Sequence, residues 1–404
     1  MRAAHCRARM NRPLHAAMVT ETYPPEVNGV ARTIAITVEG LRARGHALTL
    51  VRPRQGPQDR ALEESGFGEM LRPGVRIPRY SQLRMGLPST SALLRAWRRE
   101  RPDVVHIATE GPLGWSALSA ARALGVPVAT DFHTNFHAYS EHYGVGWVER
   151  LVTAYLRCFH NRAGCTMVPT DEMAQDLGRL GFERLRVVGR GVNSATFSPA
   201  KRDAALRRQW QAGDDTPVAL CVSRFAPEKN FPLVLEAYRA MLAVRPDTRL
   251  VLVGDGPMAE ELRRSGAGAV VAGRLVNGEL SAHYASADIF LFPSLTETYG
   301  NVTVEAMASG LAVVAYDYAA ARQHIVHGRS GLLAPVDDRA IFIGHAMALA
   351  RDLERARTLG RNARKAAEPL GWDRMVADFE AVLCETVAAR ERSADAARAF
   401  HIPL

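Results

Sequence analysis

The feature that most constrains the fold is the alternation of short apolar runs, rich in β-branched residues, with helical patterns along the whole chain. This order is typical of parallel sheets covered by helices. In the first half the predicted strands are 14–19, 47–51, 104–108, 126–130 and 166–169, with helices at 30–44, 113–124 and 145–159. In the second half they are 218–222, 249–253, 269–271, 289–292, 312–315 and 331–333, again with helices between them. The pattern predicts an α/β protein with doubly wound parallel sheets.

The domain organisation follows from the length and from one pause in this pattern. A single core stops growing beyond roughly 250 to 300 residues, so 404 residues predict two domains. We expect a basic tail at 1–12, an N-terminal Rossmann-like domain at 13–193 and a C-terminal one at 194–372. A helix at 373–404 is expected to cross back to the first domain. Doubly wound domains bind ligands at the carboxyl ends of their strands, so two facing domains predict a site in the cleft between them.

The net charge of +9 indicates an anionic partner. Arginines are densest between residues 72 and 101, where leucines and Trp97 interleave with them. This stretch is either a basic amphipathic surface that meets an anionic membrane or an arginine-rich helix that packs through its leucines. The sequence has no basic strand pattern interleaved with aromatic residues, which is the pattern that would favour nucleic acid as the partner.

The cysteines and the apolar segments indicate the cellular compartment of the protein. The five cysteines include no C-x-x-C pair, which favours reduced thiols in a cytoplasm. The apolar runs are shorter than the 18 or so residues that a spanning helix needs. We expect a cytoplasmic protein, with the inner face of the membrane as the surface that the basic stretch would meet.

Two glutamates bracket the turn that follows the strand 289–292. Glu297 lies in the loop and Glu305 lies in the helix that begins after Gly300 and Asn301. Free N–H groups at that helix start suit a phosphate or a sugar oxygen, and the carboxylates suit sugar hydroxyls. The alternative is a helix cap and a surface charge.

Two cations follow the strand 218–222. Arg224 and Lys229 are separated by a loop that contains proline, and together they could clamp a diphosphate. As an isolated pair they would be surface charges. The chain has no D-x-D sequence to supply the acidic oxygen ligands of a divalent ion. We therefore expect no metal and no cofactor, with these cations and helix N-termini providing the positive charge.

The first half offers two weaker candidates. Asn28 and Gly29 precede a helix at Val30, where the backbone can approach a ligand closely, although a plain strand-to-helix turn reads the same way. His133 follows the strand 126–130 and would face the same edge of the sheet. A lone histidine is otherwise structural.

A rival pattern is the dinucleotide fingerprint G-x-G-x-x-A at 254–259, which is typical of a dehydrogenase. That fingerprint normally lies in the first βαβ unit of its domain, whereas this one follows the second predicted strand. We therefore do not favour a dehydrogenase.

Taken together and in this order, the motifs resemble those of the retaining GT-B glycosyltransferases of family 4. They are P-P-x-x-N-G-V at 24–30, S-R-F-x-P-E-K-N at 223–230, L-V-G-D-G-P at 252–257 and E-x7-E at 297–305. The resemblance covers roughly residues 13 to 372. It implies a sugar transferase that uses a nucleotide diphosphate sugar and no metal.

The resemblance also implies roles for single residues. Arg224 and Lys229 would hold the diphosphate, and Glu305 the ribose. Glu297 would hold the transferred sugar together with the turn formed by Gly300, Asn301, Val302 and Thr303. His133 would contact the sugar at its reacting face, and Asn28 with Gly29 would close on the diphosphate. Arg274 and Leu275 would form the wall beside the base.

The stretches T-E-T-Y-P-P-E-V-N-G-V-A-R-T and H-T-N-F-H-A-Y-S-E-H-Y-G resemble the α-mannosyltransferases that use GDP-mannose and build glycolipids. The expected reaction is transfer of mannose from GDP-mannose to a glycolipid or sugar acceptor. A glucosyltransferase that uses a UDP-sugar and an epimerase of nucleotide sugars are the alternatives. Asn28 stands where many relatives have glycine.

Overall fold

A computed structural model of the protein describes residues 12–26, 28–77, 80–133, 146–265 and 268–399. The chain divides into two compact units. The first consists of Met1–Gly189 with Asp373–Leu404, and the second is Arg190–Trp372. Residues 1–11 of the expected basic tail, and residues 134–144 of the histidine-containing motif, lie outside the described residues.

The first unit is built on an eight-stranded sheet with the order β10-β9-β8-β7-β1-β2-β4-β3. Its elements are β1 (His15–Val19), α1 (Gly29–Ala43), β2 (Ala47–Pro53), β3 (Glu63–Glu64), β4 (Phe67–Arg72), β5 (Gly74–Ile77), β6 (Tyr80–Gly86), α2 (Thr90–Arg99), β7 (Val104–Ile107), α3 (Pro112–Ala123), β8 (Val128–Asp131), α4 (Gly146–His160), β9 (Cys165–Val168), α5 (Asp171–Arg179) and β10 (Leu185–Val187). All neighbouring strands are parallel except β3 and β4. β5 and β6 form a separate antiparallel hairpin.

The second unit has a six-stranded, wholly parallel sheet with the order β13-β12-β11-β14-β15-β16. Its elements are a 3₁₀ turn (Pro199–Lys201), α6 (Ala204–Gln209), β11 (Val218–Val222), a second 3₁₀ turn (Pro227–Lys229), α7 (Phe231–Val244), β12 (Arg249–Val253), α8 (Ala259–Arg264), β13 (Val270–Gly273), α9 (Asn277–Ser286), β14 (Ile289–Phe292), α10 (Asn301–Ala308), β15 (Ala312–Tyr316), α11 (Ala319–His324), β16 (Leu332–Ala334), α12 (Arg339–Arg351) and α13 (Leu353–Ala367). The strand order reverses between β11 and β14, which is where such sheets open a crevice for a ligand.

Burial explains why these segments form strands. Every residue of β11, β14 and β15 is buried, as expected for parallel strands with helices on both faces. Two apolar clusters occupy the two faces of the second sheet, one centred on Phe231 and Met241 and the other on Phe290 and Val304. The sheet therefore fixes the positions of the loops at its carboxyl edge.

The last helix, α14 (Trp372–Ala399), belongs to the first unit from Asp373 onward. Its Glu380 is 4% exposed and accepts hydrogen bonds at 3.0 Å from Nη1 of Arg44 and at 2.9 Å from Nε2 of His46. The ring of Phe379 packs edge-on against His106, with 4.7 Å between centroids. These contacts attach the helix to the first sheet and to α1.

Two expected boundaries need correction. Residues 190–193 belong to the second unit, because the amide of Val192 donates to the carbonyl of Leu370 at 2.7 Å and the Tyr299 hydroxyl donates to the carbonyl of Arg190. Arg12, the last residue of the expected basic tail, is paired with a residue of the first unit. Its Nη2 lies 2.6 Å from Oδ1 of Asp103.

The basic stretch 72–101 is neither one helix nor one amphipathic surface. Among the described residues of this stretch, Arg72 ends β4, the hairpin β5–β6 follows, and α2 is the helical part. Leu93 and Trp97 are buried in the core of the first unit, at 0% and 3% exposure. α2 is thus an arginine-rich helix that packs through Leu93 and Trp97, as the second interpretation predicted for this part of the stretch. These two residues cannot meet a membrane while the unit is folded.

Candidate active site

The loops that follow β11 and β14 meet at the point where the strand order of the second sheet reverses. The loop after β11 carries Arg224 and ends in the 3₁₀ turn Pro227–Lys229, and the loop after β14 carries Glu297. The amide of Leu295 donates to the carbonyl of Glu228 at 2.9 Å. The two loops are therefore tied together through their backbones.

Lys229 and Glu297 form the centre of this site. Nζ of Lys229 lies 2.5 Å from Oε1 of Glu297, and their side chains are 14% and 16% exposed. The ammonium also donates to Oγ of Ser294 and to the carbonyl of Thr296, both at 3.3 Å. Ser294 in turn donates to Oε1 of Glu297 at 2.9 Å. The ammonium and the carboxylate are thus held in one fixed arrangement, and neither is an ordinary surface charge.

Arg224 is placed differently. Its side chain is 61% exposed and pairs with Glu228, four residues along the chain. The backbone around it is fixed, because the amide of Phe225 donates to the carbonyl of Asp255 at 2.8 Å. Arg224 therefore extends from a rigid loop into solvent, where it can reach an anion.

The turn at Gly300 leads into α10. Gly300 has φ +91°, a left-handed conformation that disfavours other residues, and no side chain caps the helix that follows. Oδ1 of Asn301 is buried and has no hydrogen-bond partner among the described residues. The start of α10 therefore offers backbone donors and one side-chain acceptor to a ligand.

Tyr299, the residue before this turn, is held in place by its side chain. Its hydroxyl lies 2.9 Å from Nε2 of His324, and burial lowers the pKa of His324 to about 4. The imidazole is therefore neutral near pH 7, and the contact does not titrate there.

Glu305 lies one turn further along α10 and is 6% exposed. Its Oε2 accepts a hydrogen bond at 3.2 Å from the hydroxyl of Tyr284, which is itself fully buried. The interpretation of Glu305 as a surface charge is therefore wrong. Of the remaining candidates in this unit, Arg274 is exposed just after β13, and Leu275 packs against the apolar cluster around Phe290.

The glycines of the rival dinucleotide pattern have a packing role. A Cβ at Gly254 would lie 1.8 Å from the carbonyl oxygen of Ser223, and one at Gly256 would lie 2.5 Å from that of Phe225. Only glycine allows the loop after β12 to pack this closely on the loop that carries Arg224. The pattern follows the second strand of its unit, as the sequence indicated.

In the first unit, Asn28 is the N-cap of α1. Its Oδ1 accepts from the amide of Ala31 at 2.8 Å, and its Nδ2 donates to Oγ1 of Thr22 at 2.7 Å. Thr22 donates to Glu26 at 2.6 Å, which extends the network through the loop. Asn28 thus has a structural task, while Gly29 is exposed at the first position of α1. Contact of Asn28 or Gly29 with a bound nucleotide sugar stays a prediction.

His133 lies two residues beyond β8 and is 10% exposed. Its Nε2 is 3.0 Å from Oδ2 of Asp131, which is 1% exposed. A carboxylate at this distance restricts the orientation of the imidazole. His133 is therefore held in place by a buried partner.

Sequence reasoning gave no role to Ser294 or Asp131. Asp131 is signalled by its position at the end of β8, two residues before His133. No comparable signal marks Ser294, since a serine after a strand is common and its contacts depend on the neighbouring strand.

Among the described residues, no group of three or more His, Cys, Asp or Glu side chains is arranged to hold a metal ion. In the same part of the chain, every helix is too short or too polar to span a bilayer.

Comparison with known proteins identifies the family. The model of Glycosyltransferase Family 4 matches residues 27–196, and the model of Glycosyl transferases group 1 matches residues 216–352. The GDP-mannose-dependent alpha-mannosyltransferase of Mycolicibacterium smegmatis is 34% identical over 378 residues, which are 92% of this chain and 98% of that protein. The chain belongs to glycosyltransferase family 4.

Two further comparisons extend this result. The alpha-monoglucosyldiacylglycerol synthase of Acholeplasma laidlawii is 26% identical over 380 residues, covering 88% of this chain and 93% of its own. Among solved structures, sucrose-phosphate synthase from Thermosynechococcus elongatus superposes with a TM-score of 0.75 at 19% identity, covering 94% of this chain and all of that one. The predictions of a GT-B fold and of a glycosyltransferase are confirmed.

Proposed function

We propose that this glycosyltransferase moves mannose from GDP-mannose to a glycolipid or sugar acceptor, with retention of configuration and without a metal ion. The main support for this function is the rigid group of Lys229, Glu297 and Ser294, which lies where the strand order of the second sheet reverses. The α-mannosyltransferase relative at 34% identity, which its name describes as GDP-mannose-dependent, supports the choice of donor.

The donor's diphosphate would bind between Lys229, Arg224 and the start of α10. Lys229 is neutralised by Glu297 in the protein alone, so an entering phosphate would share its ammonium with that carboxylate. Arg224 adds an exposed guanidinium, which suits phosphate oxygens. These fixed charges are our reason for proposing that no divalent cation is needed.

The sugar and the nucleoside would use the other groups. Glu297 and the unpartnered Oδ1 of Asn301 are acceptors for sugar hydroxyls. Glu305, oriented by Tyr284, would accept from the ribose hydroxyls. Arg274 and Leu275 would form the wall beside the base.

The reaction would be a front-face displacement. The bond between the anomeric carbon and the diphosphate breaks while the acceptor hydroxyl attacks from the same face, and the proton of that hydroxyl passes to the departing phosphate. Negative charge grows on the leaving oxygen, where Lys229 and Arg224 stabilise it. Glu297 positions the sugar and is not a covalent nucleophile. His133, oriented by Asp131, is the proposed contribution of the first unit at the reacting sugar.

A glycolipid acceptor would place the protein in the cytoplasm at the inner face of the membrane. The Acholeplasma laidlawii relative is named for a lipid product. The hairpin β5–β6 exposes Val75 and Met85 beside Arg76, and this hairpin replaces the whole stretch 72–101 as the proposed membrane contact.

A donor panel tests this function. The full chain is incubated in EDTA with GDP-mannose or UDP-glucose and a membrane lipid extract, and the anomeric configuration of the product is read by NMR. An α-mannosyl product from GDP-mannose is expected. Preference for UDP-glucose would favour a glucosyltransferase, and epimerised free sugar without acceptor would favour an epimerase. An absolute need for metal would contradict the proposed mechanism.

A further inference from the structure

A basic pocket lies in the first unit, at the amino ends of β8 and β9. It is a cavity of about 450 Å³ bordered by the loops that follow α3 and α4 and by the C-terminal part of α14. Its lining includes Arg122, Arg162, Arg184 and Arg390 but no Asp or Glu. We call this group of four arginines the arginine pocket.

A fifth arginine reaches the same place. A Cβ at Gly125, in the wall of the arginine pocket, would lie 3.6 Å from Nη2 of Arg390 and 3.7 Å from Nη2 of Arg101. Arg390 comes from α14 and Arg101 from the segment between α2 and β7. Two guanidinium groups from distant parts of the chain therefore approach one point.

Some of these arginines are fixed by the backbone. Nε of Arg184 donates to the carbonyl of Ala163 at 3.1 Å, and its Nη1 donates to Glu183. Nη1 of Arg122 donates to the carbonyl of Arg162 at 3.0 Å. The guanidinium of Arg162 lies 5.2 Å from the ring centroid of Trp115. These side chains are positioned in advance of any ligand.

Helix ends account for only part of this positive charge. α3 and α4 both end at the pocket, and arginines near a helix C-terminus stabilise its exposed carbonyls. That explains Arg122 and Arg184. It does not explain Arg390 and Arg101, which come from other elements and form no ion pair with any carboxylate among the described residues.

We propose that the arginine pocket binds a phosphate-bearing anion with at least two negative charges. Like charges held close together without a counterion destabilise a fold, and a multivalent anion would relieve that repulsion. Guanidinium groups match phosphate oxygens two at a time, and the cavity volume is that of a small-molecule site. The ligand is either a soluble phosphate ester or the headgroup of an anionic lipid.

The arginine pocket is separate from the proposed reaction site. It adjoins Val128 at the amino end of β8, whereas Asp131 ends the same strand, about 10 Å further along at 3.3 Å per residue. Its ligand is therefore not the sugar donor but a second anion.

The test is calorimetric titration of the full chain with sodium pyrophosphate at fixed ionic strength. Every protein carries Arg224→Ala, which weakens binding at the proposed donor site. This background is compared with the same chain carrying Arg390→Glu or Arg392→Glu. Arg392 is exposed on the same helix and does not line the cavity, so it is a matched charge control.

We expect pyrophosphate to bind the background and the Arg392→Glu protein alike, and the Arg390→Glu protein at least about tenfold more weakly, since hydrogen bonds to charged groups are the stronger class. Equal binding to both variants, or no binding to the background, would overturn the proposal. If Arg390→Glu unfolds the chain, Arg122→Gln takes its place and the same weakening is expected.

Vesicles distinguish the two sources of phosphate. Sedimentation with phosphatidylglycerol and with phosphatidylcholine vesicles is measured for the Arg390→Glu and Arg392→Glu proteins. Loss of binding to phosphatidylglycerol in Arg390→Glu alone assigns a lipid headgroup. Unchanged vesicle binding, together with weakened pyrophosphate binding, assigns a soluble phosphate ester.

Discussion

Ser294 is the residue that connects the two charged groups of the proposed donor site. It donates to Glu297 and accepts from Lys229, and it is 1% exposed. We expect Ser294→Ala to lower kcat about tenfold, because a hydrogen bond to a charged group contributes about 1.5 to 3 kcal/mol. Steady-state kinetics with the preferred donor measures this effect.

Ser309→Ala is the matched control for that change. Ser309 is equally buried at the end of α10, but its hydroxyl has no hydrogen-bond partner among the described residues. Its removal should leave kcat unchanged. A similar loss in both variants would mean that Ser294 acts through packing and not through its contacts.

At this scale the sequence predicts which groups reach the site but not how they meet. Glu297 and Lys229 were each identified from a motif at the end of a strand. They are 68 positions apart, and only the adjacency of β11 and β14 brings them into contact. No spacing rule reports that adjacency.

Among the elements, α3 is capped by a buried carboxyl from the loop after β1. Oε1 of Glu21 accepts from the amide of Leu113 at 2.9 Å, and Glu21 is 9% exposed. Burial raises the pKa of Glu21 to about 7, against the opposing effect of hydrogen bonds from Leu113, Gly86 and Gly114. The folded protein therefore keeps this proton at a pH where the unfolded chain has lost it.

This gives Glu21 a definite effect on stability. Between about pH 4.5 and 7 the folded state binds more protons than the unfolded state, so stability falls as the pH rises. Glu21→Gln keeps an acceptor for Leu113 and removes the titration. The free energy of unfolding of the variant, relative to the natural protein, should increase by about 2 to 3 kcal/mol from pH 4.5 to 8.

Urea unfolding at both pH values measures this difference, with Glu39→Gln on the exposed face of α1 as the control. A difference that does not change with pH, or one that decreases, would show that Glu21 is not protonated in the folded protein near neutral pH.

α1 depends on Asn28 as its cap. Asn28→Ala should lower the free energy of unfolding by about 1 kcal/mol, because the amide of Ala31 loses its acceptor. Asn28→Gly should cost only about 0.3 kcal/mol. Urea unfolding compares the two variants, and Asn28→Ser should retain most of the cap. An alanine variant as stable as the natural protein would contradict this role.

Parallel strands were predicted far better than antiparallel ones. β11, β12 and β14 have the predicted bounds, because strands buried on both faces read as unbroken apolar runs. The hairpin β5–β6 was missed, because its arginines and exposed residues hide the alternation that marks a strand. The same arginines made the stretch 72–101 look like a single amphipathic surface.

For the whole molecule, the chain forms two α/β units, and its last helix returns to the first. The contacts that decide this return, from Arg44 and His46 to Glu380, join positions more than 330 residues apart. The sequence predicts a helix after residue 372 that crosses back to the first domain, but it does not identify the residues on which that helix packs. The family 4 assignment adds the class of chemistry to this architecture.

Two cations of the second unit, Lys229 and Arg224, are proposed to neutralise the departing diphosphate. The direct measurement is the rate of sugar transfer in EDTA for the natural protein, Lys229→Ala and Arg224→Ala. Lys201→Ala is the control, because Lys201 also ends a 3₁₀ turn but is exposed. The Arg224 side chain is largely exposed, so Arg224→Ala should not disturb the fold. A loss of activity in this variant therefore reports lost catalysis and not lost folding.

We expect the natural protein and Lys201→Ala to be fully active in EDTA. Lys229→Ala and Arg224→Ala should each lose about 100-fold or more in kcat while remaining folded, as when one oxyanion donor is removed. Near-natural rates in both of these variants, or loss of all activity in EDTA, would contradict the account.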